Sequence, residues 1–162
     1  MKKIKPKNGQ ESVWDYPRPP AIEPITQHLR IIFNGELIAD TNQSYRVLET
    51  SHPPTYYLPK SAFRKETLFD SSLSTACEFK GVSFYYDIKV GDKLALNAAW
   101  GYPTPKGKFK VLQDHIAVYA HKMDACYVGD EKVQAQEGDF YGGWITSKIV
   151  GPFKGAKGTW GW

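Results

Sequence analysis

The chain has 162 residues, 41% hydrophobic and 14% aromatic, with 14 glycines, 11 prolines and a formal net charge of +4. A single domain of that length buries a sizeable core, and aromatics punctuated by turn-formers suit pleated sheets. No apolar run approaches the roughly 20 residues of a bilayer span, and no apolar segment follows the amino-terminal charges as an export signal requires. A membrane is therefore not expected as a partner. Cys77 and Cys126 are expected as thiols in a cytoplasmic protein.

Much of the charge comes from Lys2, Lys3, Lys5 and Lys7, so residues 1–12 read as a disordered basic tail. The remainder is close to neutral and has no basic stripe, and nucleic acid is not an expected partner.

Trp14-Asp15-Tyr16-Pro17-Arg18-Pro19-Pro20 predicts an extended, polyproline-like segment wrapping the surface. Leu29–Phe33 alternates, Asn34-Gly35 is a strong hairpin signal, and Glu36–Asp40 returns antiparallel. Tyr45–Thr50 is a third strand. Pro53-Pro54 interrupts the chain before a short extended Tyr56-Tyr57-Leu58 that Pro59 ends. Ser61–Phe69 is the one predicted helix, with Ser61 as cap and Ala62, Phe63 and Leu68 as apolar stripe.

The stretch Cys77–Ile88 carries the strongest pattern. Period two places Val82, Phe84, Tyr86 and Ile88 on one face, predicted as core, and Cys77, Phe79, Gly81, Ser83 and Tyr85 on the other. A thiol, a hydroxyl, a phenol and a glycine make an unusual face for water alone. A glycine within a strand marks a bulge or a close approach by ligand or backbone. This strand is predicted to floor the site.

After the turn Gly91-Asp92, Lys93–Trp100 alternates with Leu94, Leu96, Ala98 and Trp100 on one face. Tyr102–Pro105 and the Gly107 region form a loop. Ile116–Ala120, Cys126–Val128 and Lys132–Val133 complete the strands, with Gly129-Asp130 as a turn. From Glu137 onward glycine and aromatics dominate. The expected organisation is a tail at 1–12, a single β-rich domain at 13–136 and an aromatic extension at 137–162 packed on that domain. The fold class is all-β with one short helix, a sandwich or barrel by strand spacing.

Four ordered motifs carry a family resemblance: Val47-Leu48-Glu49-Thr50, Tyr57-Leu58-Pro59-Lys60, Cys77-Glu78-Phe79-Lys80-Gly81 and Ala99-Trp100-Gly101-Tyr102-Pro103-Thr104-Pro105. From about Trp14 to Val133 the chain resembles domain-of-unknown-function family 427. Its Asp139–Thr146 run is similar to the ending of extended members found in cyanobacteria and some other lineages. The resemblance implies a β-tent-like fold, two small antiparallel sheets leaning together. Relatives in that group include zinc-stabilised domains, methionine sulfoxide reductases of the B type and a domain that holds ligands in a tryptophan cage. Glu78 stands where the family usually has proline, which leaves the role of Cys77 open and adds a charge beside it. The family's occasional nucleotidyltransferase-like label finds no paired carboxylates on a strand here. Gly151–Thr159 lacks both the spacing and the strand–loop–helix context of a phosphate loop.

No metal or cofactor is expected. Cys77, Cys126, His28, His52, His115 and His121 form no paired ligand spacing, although folding could still gather Cys126, His115 and His121. Two other groupings bear chemistry. Cys77 lies three residues from Lys80, whose charge favours a thiolate, and Glu49 shares parity with Tyr45 and Val47 and points inward. As a buried carboxylate it needs a cation, Lys80 or Arg64; the plain alternative is a structural thiol and a register-fixing ion pair. The aromatics Tyr57, Phe79, Tyr85, Trp100, Tyr102 and Tyr119 come from separate segments, and aromatic walls with a few hydroxyls suit a small-molecule pocket as well as a core.

The leading reading is a small-molecule-binding module, its ligand unidentified, bound by Tyr57, Arg64, Tyr85, Trp100, Tyr102 and Tyr119. The alternatives are an enzyme using Cys77, Glu49 and Lys80 in that pocket, and a protein-interaction domain using its termini.

Overall fold

The computed structural model describes residues 1–162. In chain order its strands are β1 (Glu11–Ser12), β2 (Ala21–Ile25), β3 (Leu29–Phe33), β4 (Glu36–Thr41), β5 (Ser44–Leu48), β6 (Thr55–Pro59), β7 (Leu68–Cys77) and β8 (Gly81–Val90). There follow β9 (Lys93–Gly101), β10 (His115–Val118), β11 (Ala125–Val128), β12 (Glu131–Lys132), β13 (Gln134–Ala135), β14 (Trp144–Ile145) and β15 (Ile149–Val150). The protein is mostly β, and its helical content is confined to short 3-10 turns. No helix is long and apolar enough to cross a membrane.

One antiparallel sheet dominates, seven strands in the order β2-β5-β6-β10-β9-β8-β7. A four-stranded sheet, β12-β11-β3-β4, packs against one of its faces. Alternation explains the division of labour. Tyr56 and Leu58 of β6, Ile116 and Val118 of β10, and Ile88 of β8 join Leu29, Ile31, Phe33, Ile38 and Cys126 in the main core between the sheets. The intervening positions Tyr57, Ala117 and Tyr85, together with Trp100, gather on the other face with Tyr102, Phe109 and Leu112. The large sheet is therefore apolar on both sides, and neither sheet closes into a barrel.

The Asn34-Gly35 hairpin forms as expected, with φ of 50° and 74° at its two central residues, the left-handed pair that a tight hairpin turn demands. The predicted helix at Ser61–Phe69 does not form. Only Lys60–Ala62 makes one 3-10 turn; Phe63 is extended and bridges to Ala39, and the Arg64 N–H donates to the Ile38 carbonyl at 2.7 Å. Pairing with the edge of β4 overrides a weak helical stripe. Leu68 opens β7 instead.

The Cys77–Ile88 stretch is a hairpin end rather than one strand: Cys77 closes β7, Gly81 opens β8, and the two residues pair. Its alternation is real, but the core assignment holds for only part of one face. Ile88 is fully buried, whereas Val82 and Phe84 are 45% and 47% exposed. Ser83 and Tyr85, on the polar-looking face, are buried. Leu94 and Leu96 are likewise exposed although Ala98 and Trp100 are buried. The irregularity between them centres on Asn97, at φ 51°, whose N–H donates to the Asp87 carboxylate.

The chain's two end segments pack on each other. β1 runs parallel to β15, the Trp14 indole N–H donates to the Pro152 carbonyl at 2.9 Å, and the Ile4 N–H donates to Gly151. Glu11 and Ser12, expected within the basic tail, thus lie in a strand. Arg46 of β5 binds Glu11 through two nitrogens at 3.0 Å and Glu23 at 2.5 Å, linking β1 and β2 to the large sheet.

Candidate functional site

A cavity of about 250 Å³ opens on the second face of the large sheet. Its aromatic wall comes from adjacent strands. Trp100 of β9 lies 4.6 Å from Tyr119, which follows β10, and meets Tyr57 of β6 edge-on at 6.4 Å. Tyr85 of β8 and Tyr102 flank them at 6.3 Å from Trp100 and Tyr57 respectively. The Tyr85 and Tyr119 hydroxyls are 3.5 Å apart, and the Tyr119 hydroxyl donates to the Phe140 carbonyl at 2.8 Å. Burial raises the ionisation of Tyr57, Tyr102 and Tyr119 above the ordinary tyrosine range, so each keeps its proton at neutral pH.

The β7–β8 hairpin supplies the opposite rim, with Cys77, Lys80 and Ser83. Its turn is anchored by the 102–107 loop: the Lys106 N–H donates to the Lys80 carbonyl at 3.0 Å. Gly81 sits at φ 109°, and a Cβ there would press on the Thr104 carbonyl at 3.3 Å. The expected close approach at this glycine is made by backbone. The Lys80 ammonium lies over the Tyr102 and Phe109 rings at 5.9 and 5.7 Å. Burial pulls its pKa down, but Tyr57, Cys77 and Glu49 outweigh that pull and hold it above the usual lysine value.

Glu49, following β5, lines the same cavity with His52. β5 does not neighbour β8, because β6, β10 and β9 intervene. Glu49 and Lys80 nonetheless line one cavity, and the Glu49 charge acts on Lys80 without an ion pair between them. The cation paired to Glu49 is neither of the expected ones but Arg18, at 3.5 Å, in the proline-rich segment. His52 Nδ1 lies 3.9 Å from Glu49 and donates to the Thr50 carbonyl at 2.9 Å. Burial lowers the His52 pKa against the opposing pull of Glu49, leaving the ring neutral at pH 7.

Of the nine residues proposed from sequence, Tyr57, Tyr85, Trp100, Tyr102, Tyr119, Cys77, Lys80 and Glu49 line this one cavity. Arg64 does not. It is exposed and paired with Glu36 at 2.6 Å, on the outside of the domain. Phe79, named with the aromatics, also lines the cavity. The three residues considered for folding-driven gathering stay apart: Cys126 is in the main core, His115 packs on Tyr45, and His121 packs on Tyr119.

Sequence reasoning missed His52, Gln136, Phe140, Tyr141 and Gly142, which close the remaining side. Gly142 fits because it lacks a side chain; an added Cβ would come within 2.1 Å of the Trp100 ring. The Gly143 N–H donates to Gln136 Oε1 at 3.0 Å, and the Gln136 amide donates to the Lys154 carbonyl. Trp144 secures the segment, stacked 5.2 Å from Tyr56 with its indole N–H on the Val118 carbonyl at 3.1 Å.

A family model described as "Domain of unknown function (DUF427)" matches residues 21–129, about two thirds of the chain. The chain belongs to the DUF427 family. No curated protein matches it. Within this DUF427 protein the matched stretch supplies the aromatic wall, Glu49, Cys77 and Lys80, while Gln136, Phe140, Tyr141 and Gly142 lie outside it. The cavity is thus a family framework completed by a carboxy-terminal segment.

Proposed function

We propose that this DUF427 protein is a small-molecule-binding module and that the aromatic cavity is its site. One observation carries the reading: five aromatic side chains from four chain segments converge on a concave, mostly apolar wall that a lysine and a glutamate also line. Small-molecule sites combine apolar contact area with a few placed polar groups in this way. The volume, about 250 Å³, falls below the roughly 300–1,000 Å³ usual for drug-sized ligands, which suits a fragment-sized ligand with a flat ring.

The test is a fragment screen followed by NMR with the Trp100 indole N–H assigned. Binders that perturb Trp100 and lose affinity at least tenfold in Trp100→Ala support the reading. Binders that map elsewhere, or none at millimolar concentration, overturn it.

A thiol-using enzyme is the second reading, favoured because Cys77 opens on the cavity beside Lys80. Cys77→Ser separates the two: a binding module keeps its ligand affinity, and a thiol enzyme loses turnover of any substrate found.

A further inference from the structure

Lys80 is the one buried charged side chain in the molecule, only 9% exposed. None of the protein's ion pairs includes it. Its immediate neighbours are a thiol, two phenols and a phenyl ring, with the Glu49 carboxylate acting on it from farther off. A buried ammonium without an anionic partner is costly, and cation–π contacts near 6 Å, at the outer edge of their range, return only part of that cost.

The two carboxylates on the cavity do not answer it. Glu49 is engaged by Arg18 at 3.5 Å, and Glu78, at the exposed rim, makes no ion pair. Lys80 therefore faces the cavity without an ion-pair partner, drawn by Glu49 only across the cavity.

Resting on the binding-module reading, we propose that the ligand is a small aromatic carboxylate, its anionic group seated on Lys80 and its ring against Trp100. The donor set selects this class among anions. Tyr57 and Tyr102 keep their hydroxyl protons beside the ammonium, so a carboxylate meets one full charge among neutral hydroxyls. A phosphate monoester, carrying close to two charges, calls for arginine forks or a helix N-terminus. No arginine lines the cavity, and its boundary residues lie on strands, loops and turns. The apolar wall and modest volume exclude large polar ligands, and Trp100 with Tyr119, their planes inclined at 43°, offers aromatic contact for one ring.

The experiment compares matched pairs on the full-length protein: benzoate against benzamide, and indole-3-carboxylate against indole-3-carboxamide. Isothermal titration and Trp100 NMR shifts read the binding. In the wild type the acid of at least one pair binds tenfold or more tighter than its amide. Lys80→Met removes that preference, the acid losing far more affinity than its amide, and Lys80→Arg restores part of it. The wild-type comparison decides the matter even where Lys80→Met fails to fold.

Amides binding as well as acids would overturn the carboxylate assignment and leave the binding-module reading standing. So would a preference that survives Lys80→Met. Neither acids nor amides binding, together with an empty fragment screen, would overturn both.

Discussion

Gly142 packs against the six-membered ring of the Trp100 indole, with no room for a Cβ between them. The backbone of the carboxy-terminal segment is thereby one wall of the cavity. Gly142→Ala must push either the segment or the ring aside, and overpacking of this kind costs about 1–3 kcal/mol. The expected result is a lower urea midpoint and, for any ligand that shifts Trp100, a fall in affinity of about tenfold. Unchanged stability and affinity would mean that the segment does not hold this position in solution.

The two thiols should differ sharply. Cys126 is buried in the main core, and burial alone raises its pKa far above the ordinary thiol value. Cys77 is partly exposed at the cavity rim. Under native conditions a disulfide-exchange reagent should modify one thiol per chain, and the second only after denaturant is added. Cys77→Ser should abolish the native reaction, and a cavity ligand should slow it. Two equally fast thiols would contradict the placement of Cys126.

Stability should decline with acid in two steps. The folded-state pKa of His52 is depressed by burial, so between that value and the unfolded value of about 6.5 the unfolded chain binds the extra proton. Its contribution is complete above about pH 6.5 and is lost as pH falls below it. Glu11 is held below the usual carboxylate range by its hydrogen bond to Arg46 against burial, with Tyr16 assisting. Its contribution is complete above the ordinary carboxylate pKa of about 4.3 and disappears as pH falls through its lowered value. Urea midpoints measured across this range should fall in both intervals, and His52→Gln should lessen the upper fall, to which the likewise depressed His121 adds, while leaving the lower one.

Arg46 should matter more than an ordinary surface pair. Its side chain is 14% exposed, and it holds Glu11 and Glu23 at once. Because both carboxylates are nearly half exposed and regain water when released, Arg46→Met is expected to cost about 1–2 kcal/mol, above an isolated surface pair and below a fully buried one. The loss should also loosen β1, seen as faster amide exchange at Glu11 and Ser12. A cost within error would show that the network contributes no more than single exposed pairs.

Trp144 anchors the segment that carries Gly142. Trp144→Ala removes the stack on Tyr56 and the bond to Val118, and large aromatic truncations in a core cost about 3–5 kcal/mol. Weaker ligand binding should accompany the fall in stability. A fall in stability without loss of binding would separate the segment from the site.

What could be read in the sequence was mainly local. The Asn34-Gly35 hairpin, the strand at Lys93–Trp100 and the family motifs depend on neighbours in the chain, and each is recovered, although the alternation along that strand breaks at Asn97 and puts Ala98 and Trp100 in different cores. The cavity side of Cys77–Tyr85 was legible because a face mixing thiol, hydroxyl and phenol fits neither core nor bulk water. Burial of a particular face was less legible. Val82 and Phe84 share the parity of Ile88, yet the β7–β8 hairpin is exposed at their end. Nothing local to Val82 records where the second sheet stops. The helix at 61–69 failed for a similar reason, since its pairing partner β4 is more than twenty residues away. Arg18 as the partner of Glu49, and the closing side from Gln136 to Gly142, depend on where distant chain segments return.

Tyr56 and Tyr57 are successive residues of one strand, one stacked on Trp144 in the core and the other walling the cavity. The partition between foundation and recess is thus a single layer of backbone, addressed by odd positions from one side and even positions from the other. Substitutions on the recess parity can recarve what is held while the foundation keeps its packing. A one-residue insertion in β6 or β10 would be far more damaging than any substitution, because it would exchange the two sets of side chains and spoil both surfaces together.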